Sequence, residues 1–307
     1  MPALIKPMIF KNLSIYSVPG EVNLETLEGH LNSMPFKHCL PSQEFTAGFA
    51  RLYGSPSRVL TVNGCHLFCL MSEEKKIPPA VVRTKLRKVI EAKEISYGRR
   101  LKTAERKEAE EMVREGLIRS AEEFVQTKET WIYFDTKAKL LVINSSSAKT
   151  AASISEMVKP AISNKMLFPL RPQHDVSKKL TFWLAENQAP EPLVAGQKCG
   201  LTDDTGTIKY NKVTLEDPRL KGYLQDGMRV TALALSHKER CSFNLSEDFM
   251  ITSFALTDLA LEDLDHGTSE PLEQLAGDLV LMSKEVSALV DALMDALGGE
   301  LNPEVDE

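Results

Sequence analysis

The chain has 307 residues, of which 43% are hydrophobic and 26% charged, with a net charge of −6 at pH 7. This composition is typical of a globular protein with one large domain or two to three small ones. No apolar run approaches the roughly 20 residues of a membrane-spanning helix, which argues against a membrane protein. No signal-peptide pattern opens the sequence, so we expect a cytoplasmic protein.

The first part of the chain alternates predicted strands and helices. Residues 8–18 are rich in β-branched and aromatic side chains, which predicts a strand. Asn23 is a predicted N-cap, with leucines at helical spacing behind it. Residues 59–62 and 66–71 are predicted to form a hairpin, because Asn63-Gly64 between them is a strong hairpin signal.

Residues 75–107, called the basic arm below, hold twelve Lys or Arg and three acids, a net charge of +9. Pro78-Pro79 predicts the start of a helix, and Tyr97-Gly98 interrupts it. A second helix is predicted over about residues 101–124. Because both helices have few apolar positions, we expect the pair to project from the body of the protein.

Further strands and helices are predicted in the rest of the chain. A helix is expected from Ser146 or Ser147 to Pro160, and residues 169–206, rich in Pro and Gly, are predicted to be a boundary region. The last helix has a leucine-rich 3-4 repeat, which fits a dimer seam and packing on its own sheet equally well. Strands are predicted over residues 130–135, 139–145, 213–215, 229–235, 241–246 and 250–256.

This order of elements predicts an α+β fold: antiparallel sheets with packed helices, a helical basic insertion and a long C-terminal amphipathic helix. The predicted domains are residues 1–74 with 125–168, the insertion 75–124, and residues 169–307.

The charge is divided between two parts of the chain. Residues 246–307 contain sixteen acids and one base, a net charge of −15 that opposes the +9 of the basic arm. A clustered positive field attracts polyanions whatever the net charge, so the arm is a candidate nucleic-acid surface. The alternative is an ordinary solvated helix face. The acidic part should repel DNA and is expected to face away from it.

No catalytic or metal-binding motif is found in the sequence. A phosphate loop, a G-x-G-x-x-G turn and a G-x-S-x-G elbow are all absent. Cys65, His66 and Cys69 lack a second ligand pair with zinc spacing, so we expect buried or half-buried strand residues there. The E-x-K spelling of Glu91 and Lys93 is weak evidence for a nuclease. We therefore predict neither cofactor nor metal, and reduced thiols.

Several blocks together resemble the recombination-associated protein RdgC family, in the family's order and at near-family spacing over about residues 8–300. The blocks are FKNLSIY (10–16), CLPSQEFTAGF (39–49), KKIPPAVV (75–82), NSSSAKTA (144–151), LTFWL (180–184), DGMRVTALALSH (226–237) and MSKEVSALVDALMDALGGE (282–300).

The resemblance implies a protein that binds double-stranded DNA with little sequence preference. It also implies a ring-shaped homodimer, a nucleoid-associated location, and restraint of RecA-driven recombination by occupation of DNA. An older family label is exonuclease, but no residue in this sequence supports it, and we expect no enzyme. The alternatives are a Mg²⁺-dependent exonuclease and a protein-interaction module that does not bind DNA.

The predicted site residues come from the arm's charge and from the resemblance. Arg99, Arg100 and Lys102 match a basic helical motif of the family, and Lys212 matches a basic position further along. The full predicted DNA-binding set is Lys75, Lys76, Arg83, Lys85, Arg87, Lys88, Arg99, Arg100, Lys102, Arg106, Lys107 and Lys212.

The resemblance also implies a subunit contact after the basic helices. The family usually has a Leu-Leu-Pro-Arg-Ala-Phe block there, whereas this chain reads GLIRSAEEF over residues 116–124, without the Pro. The predicted interface residues are Leu117, Ile118, Arg119, Ala121 and Phe124.

Overall fold

The structure is a computed structural model, and it describes residues 8–18, 20–53, 55–120, 122–162, 167–212, 217–264 and 270–301. It has the predicted α+β character, with antiparallel strand pairing. The chain forms two compact units, the first from Met1–His30, Arg51–Phe68 and Trp131–Glu307, the second from Leu31–Ala50 and Cys69–Thr130. The domain boundaries predicted from the sequence stay a prediction.

The elements follow one another along the chain as helices and short groups of strands. The first ten are β1 (Ser14–Ser17), α1 (Leu24–Ser33), β2 (Phe45–Phe49), β3 (Leu60–Val62), β4 (Cys65–Lys75), α2 (Pro79–Tyr97), α3 (Thr103–Arg119), a 3-10 helix (Glu122–Phe124), β5 (Val125–Asp135) and β6 (Leu140–Ile143). The remainder are α4 (Ala148–Val158), a 3-10 helix (Lys159–Ile162), β7 (Phe168–Pro169), α5 (Val176–Ala185), β8 (Leu193–Thr202), β9 (Thr207–Asn211), α6 (Pro218–Gln225), β10 (Arg229–His237), β11 (Cys241–Ser246), β12 (Ile251–Leu256), α7 (Asp258–Leu261) and α8 (Pro271–Ala296).

Local start and turn signals place several elements where the sequence predicts them. The Asn23 side chain accepts hydrogen bonds from the N–H groups of Glu25 and Thr26 at the start of α1. Ser147 caps α4 in the same way. Asn63 and Gly64 both have positive φ, as a two-residue hairpin turn requires, and they join β3 to β4.

The first unit contains a sheet in which β1 lies between β6 and β7, and β6 pairs with β5. A second, five-stranded sheet has the order β12-β11-β10-β8-β9. The predicted pair β11 and β12 is confirmed. The predicted strand over residues 213–215 lies outside the described residues.

The stretch predicted to be a boundary region holds α5 and β8. Leu180 and Leu184 of α5 are fully buried, and β8 is an interior strand of the second sheet. A Cβ on Gly200 would come within 3.0 Å of the Thr231 hydroxyl on the neighbouring strand. Thr231 lies at a register shift between β10 and β8, and the close approach of its side chain there accounts for this glycine.

One hydrophobic core holds this unit together. It joins side chains of β1 and β6 to the second sheet, α5 and α8. The apolar repeat of α8, including Leu279, Met282 and Leu289, is part of this core. The repeat fits either a dimer seam or packing within its own unit, and these three side chains pack within their own unit.

In the second unit, β2 pairs with the C-terminal part of β4, and α2 packs against α3. Helix α3 ends at Arg119 and not near residue 124, because side chains take its last carbonyl groups. The Ser120 hydroxyl donates to the Gly116 carbonyl, and the Lys75 ammonium donates to that of Ile118. In the described part of the chain, no helix is both long and apolar enough to cross a membrane.

Candidate nucleic-acid interface

Helices α2 and α3 form an antiparallel hairpin joined by a five-residue connection. Pro78 and Pro79 begin α2, and Gly98, with a φ of 62°, ends it in the left-handed conformation that glycine adopts without strain. The predicted break after Tyr97 is thus confirmed. Because the connection is short, the end of α2 and the start of α3 stay close together, and the bases on both share one surface.

The two helices bury apolar surface mainly on the α3 side. Ala109, Val113 and Leu117 of α3 are buried at a spacing of four residues, whereas α2 has no buried residue. The apolar positions of α2, such as Val82 and Leu86, are only half-buried. Every other face of α2 is therefore open to solvent, and its basic side chains lie on that surface.

The connection between the helices is fixed by two glutamates. The Arg99 guanidinium donates to both carboxylate oxygens of Glu105, with N–O distances of 2.9 and 2.6 Å, and the Lys102 N–H adds a third bond of 2.7 Å. These hydrogen bonds, that from Arg99 first, lower the pKa of Glu105 to about 2. Glu94 accepts from the Leu101 N–H, and from Arg106 at 3.3 Å.

Tyr97 lies beside this network. The central carbon of the Arg99 guanidinium is 5.6 Å from the centre of the Tyr97 ring, a cation–π arrangement. Arg99 thus contacts a carboxylate and an aromatic ring together, which leaves it less free to reorient toward a phosphate than an unpaired base.

Five bases of the arm have no such partner. Within the described residues the structure gives no ion pair and no hydrogen bond from the side chain of Lys85, Lys88, Lys93, Arg100 or Lys107, although Arg100 is close enough to Glu94 to help lower the pKa of that carboxyl. All are exposed except Lys93, which is half-buried on the same helix face as Val82 and Leu86. Four exposed cations on one hairpin, none of them in an ion pair, form an attractive site for a polyanion.

The other predicted bases of the arm are exposed but have partners. Arg83 donates to the Pro79 carbonyl at 3.4 Å, and Arg87 lies 4.0 Å from the Glu91 carboxylate. Lys76 pairs with Glu74 at 3.2 Å. Pairs as exposed as these contribute little and exchange easily, so they do not prevent binding of a phosphate.

Lys75 is different, and the structure removes it from the candidate surface. Its side chain is buried, and its ammonium group donates to the carbonyl oxygens of Leu40, Pro41 and Ile118 at 2.9, 2.8 and 3.1 Å. An ammonium has three protons, so none is left for a phosphate. Lys75 instead holds the 40–41 loop against the end of α3, a role that a count of charges does not reveal.

The predicted interface residues have several different environments. Leu117 is buried within its own unit, Ile118 and Phe124 are half-buried, and Arg119 is exposed. Ala121 lies outside the described residues. Lys212 is exposed, but it belongs to the first unit, after β9, and not to the unit that contains the basic arm.

The charge of the arm is concentrated on α2 and the connection. Helix α3 carries five glutamates against four bases, so it has a net charge of −1. Four of these glutamates follow Lys107 and so lie outside the basic arm. The positive surface is therefore narrower than the arm and includes the solvent side of α2 and residues 99–102.

The cysteine-rich strand has the burial that the sequence predicts. Cys65, His66 and Cys69 are buried on β4, and the His66 ring bonds to the Thr61 hydroxyl at 2.9 Å. Burial raises the pKa of Cys69 to about 12, which keeps the thiol protonated. Among the described residues, no cluster of three or more His, Cys, Asp or Glu side chains is placed to hold a metal ion.

Comparison with known proteins gives matches over nearly the whole chain. The family model described as "Putative exonuclease, RdgC" matches residues 8–300. The Recombination-associated protein RdgC of Yersinia enterocolitica serotype O:8 / biotype 1B is 29% identical over 299 residues, which cover 95% of this chain and 98% of that protein. The protein of the same name from Yersinia pestis strain Pestoides F is 29% identical over 301 residues, with the same coverage.

Proposed function

The chain belongs to the RdgC family, and from this premise we propose that it binds duplex DNA without sequence preference through the basic arm. The supporting observation is the set of exposed, unpaired bases on α2 and the connection, Lys85, Lys88 and Arg100 foremost. Each phosphate that such a side chain neutralises releases condensed counterions, which drives binding to any sequence.

Phosphate contacts alone carry no sequence information. Long, unpaired lysine side chains on a solvent-exposed helix reach phosphates from many positions, and no described contact fixes them in a base-reading geometry. The proposed mode of binding is therefore electrostatic and independent of sequence.

The proposed function also includes the oligomeric state of the protein and its cellular role. We propose a homodimer, ring-shaped as the family resemblance implies, that occupies DNA in the nucleoid and so restrains access of RecA. It follows from this role that the protein acts by binding and not by catalysis. The acidic C-terminal region, residues 246–307, repels the duplex.

A mobility-shift assay on duplexes of unrelated sequence tests DNA binding. If the five unpaired bases of one arm each neutralise a phosphate, the slope of log K against log salt is about −4.5 per arm. Affinity should be equal for the different sequences. No shift on any duplex at low salt would overturn the proposal.

A matched pair of variants tests the role of the arm. We expect the triple variant K85E/K88E/R100E to lose affinity on the order of 500-fold at about 0.1 M salt, since each of the three lost phosphate contacts removes nearly tenfold. The control K139E/K178E/K238E changes three exposed lysines of the first unit and should bind nearly as the wild type. Equal losses in both triples would show that net charge, and not the arm, determines affinity.

The description of the matching family supports a second candidate, an exonuclease. End-labelled DNA incubated with the protein and Mg²⁺ or Mn²⁺ distinguishes the two: the proposed binding protein leaves the label at full length. Shortening of the DNA would instead establish the exonuclease. Dimerisation that is lost at high salt, with no DNA binding at any salt, would indicate a protein-interaction module.

A further inference from the structure

The tip of the arm, residues 95–102, exposes two large apolar side chains among its bases. Ile95 is 82% exposed and Tyr97 is 54% exposed. Ile95 lies on the opposite side of α2 from the stripe of Val82 and Leu86. Tyr97 lies on the side of the stripe but is exposed as the last residue of the helix. Both side chains are therefore open to contact by a ligand.

The Tyr97 ring is held in place from one side. The Arg99 guanidinium lies against the ring, and its bidentate hydrogen bonds to the Glu105 carboxylate fix its position. The Arg99 guanidinium also donates to the Arg100 carbonyl at 3.1 Å. An aromatic side chain that is ordered before binding loses less conformational entropy when it contacts a ligand.

The surroundings of the ring indicate the chemistry of that ligand. Arg100 and Lys102 are exposed within a few residues of Tyr97, so a phosphate chain has cations on which to bind. An aromatic face with adjacent cations is the arrangement that binds single-stranded nucleic acid, since bases stack on the ring while the backbone follows the charge.

We propose that the tip binds an unpaired base, with Tyr97 stacked on it and Arg100 and Lys102 on the flanking phosphates. This inference rests on the proposed function. In an intact duplex, base faces are covered by their neighbours, and opening a step costs about a few kcal/mol. A junction between duplex and single strand presents the face at no such cost. The arm therefore favours junctions over continuous duplex.

The test compares two DNAs with equal numbers of phosphates, a blunt duplex and a shorter duplex with a single-stranded extension. Stacking of one base on an aromatic ring gives about a 5- to 150-fold gain in affinity, equivalent to about 1–3 kcal/mol. We expect the wild type to prefer the extended DNA by a factor in this range. Tyr97→Ala should abolish the preference, measured as the ratio of the two affinities.

Two control variants separate stacking from general apolar contact. Tyr97→Phe keeps the ring and should keep the preference. Ile95→Ala removes an even more exposed side chain that has no π face, and it should also keep the preference. A 2-aminopurine at the first unpaired position should be quenched by the wild type and by Tyr97→Phe, but not by Tyr97→Ala.

Each remaining outcome counts against the inference. If the preference for the extended DNA survives Tyr97→Ala, stacking on this ring is excluded. If Ile95→Ala abolishes the preference as fully as Tyr97→Ala does, the preference comes from a general apolar contact. Normal duplex binding with no preference for the extension overturns this inference alone. Absence of binding to either DNA overturns the proposed function as well.

Discussion

Helices α2 and α8 have similar apolar spacing in the sequence but differ in burial in the structure. Helix α8 has 26 residues, eleven of them buried, whereas none of the 19 residues of α2 is buried. Helix α8 is enclosed by the core of the first unit, while α2 is paired with α3. The difference teaches that an apolar stripe specifies a helix, and that its surroundings decide whether the helix is core or surface.

The charges of the two regions differ in the same way. In the first unit, the Arg240 guanidinium lies between the buried carboxylate of Glu285, at 2.7 Å, and that of Asp263, at 2.6 Å. In the arm, Lys85 and Lys88 have no described partner. The first arrangement uses charge for structure, and the second leaves it available for a ligand.

The largest expected effect concerns the two apolar stripes. Leu279 of α8 is fully buried, so Leu279→Ala should lower the free energy of unfolding by about 2–5 kcal/mol. Leu86 of α2 is half-buried, so Leu86→Ala should cost about 1 kcal/mol or less, because less apolar surface is lost. Urea unfolding followed by circular dichroism measures both. Equal losses would contradict the contrast drawn between the helices.

A smaller effect is expected from the ion pairs. Arg240→Met leaves the Glu285 carboxylate buried without its cation and should cost about 3 kcal/mol. The matched variant Arg106→Met leaves the half-buried Glu94 carboxylate with its hydrogen bond from the Leu101 N–H, and water replaces the lost partner. Its unfolding midpoint should equal that of the wild type within error. A destabilised Arg106→Met would show that the arm's charges also serve its structure.

The smallest expected effect is on pH dependence. His237 is buried, and neither ring nitrogen has a hydrogen-bond partner among the described residues. Burial lowers the pKa of His237 below its ordinary value of 6.5. The unfolded chain therefore takes up a proton at higher pH than the folded one. The stability of the first unit should be constant above pH 6.5 and fall as pH drops below it.

Two variants assign this dependence to its region. His237→Gln should show a smaller loss of unfolding free energy between pH 7.5 and 5.5 than the wild type, measured by fluorescence of the buried Trp183. Glu105→Gln should leave that loss unchanged. The Glu105 pKa is lowered from 4.5 to about 2, so its contribution is lost only as pH falls below 4.5. A flatter profile in Glu105→Gln would contradict this assignment.

Local signals explain what was predictable in the fold. The Asn23 cap, the Asn63-Gly64 turn, the Pro78-Pro79 start and the Gly98 stop each act within a few residues, and each lies where the sequence predicts it. Strand β8 was missed although β9 pairs with it after a connection of four residues. Its other neighbour, β10, lies much later in the chain and pairs with it across irregular register. Alternation of side chains is too weak there to predict a strand.

The candidate site shows the same division. Clustering of bases and the Tyr97-Gly98 break are visible in the sequence. The hydrogen-bond partners of these bases are harder to predict from the sequence. Glu105 is an exception, because it lies three residues after the cap position Lys102 and is a recognisable helix-start signal. Nothing near Lys75 in the sequence indicates that three carbonyl groups will surround its ammonium.

The sequence by itself determined the α+β class, the hairpin of basic helices and the separation of positive from negative charge, because composition and short-range spacing encode all three. Only the tertiary structure decided which cations are free. It buried Lys75, paired Arg99 with Glu105 and left Lys85, Lys88 and Arg100 in solvent. The physical reason is that the availability of a charge depends on which groups lie within hydrogen-bond reach, and folding brings those groups from distant parts of the chain.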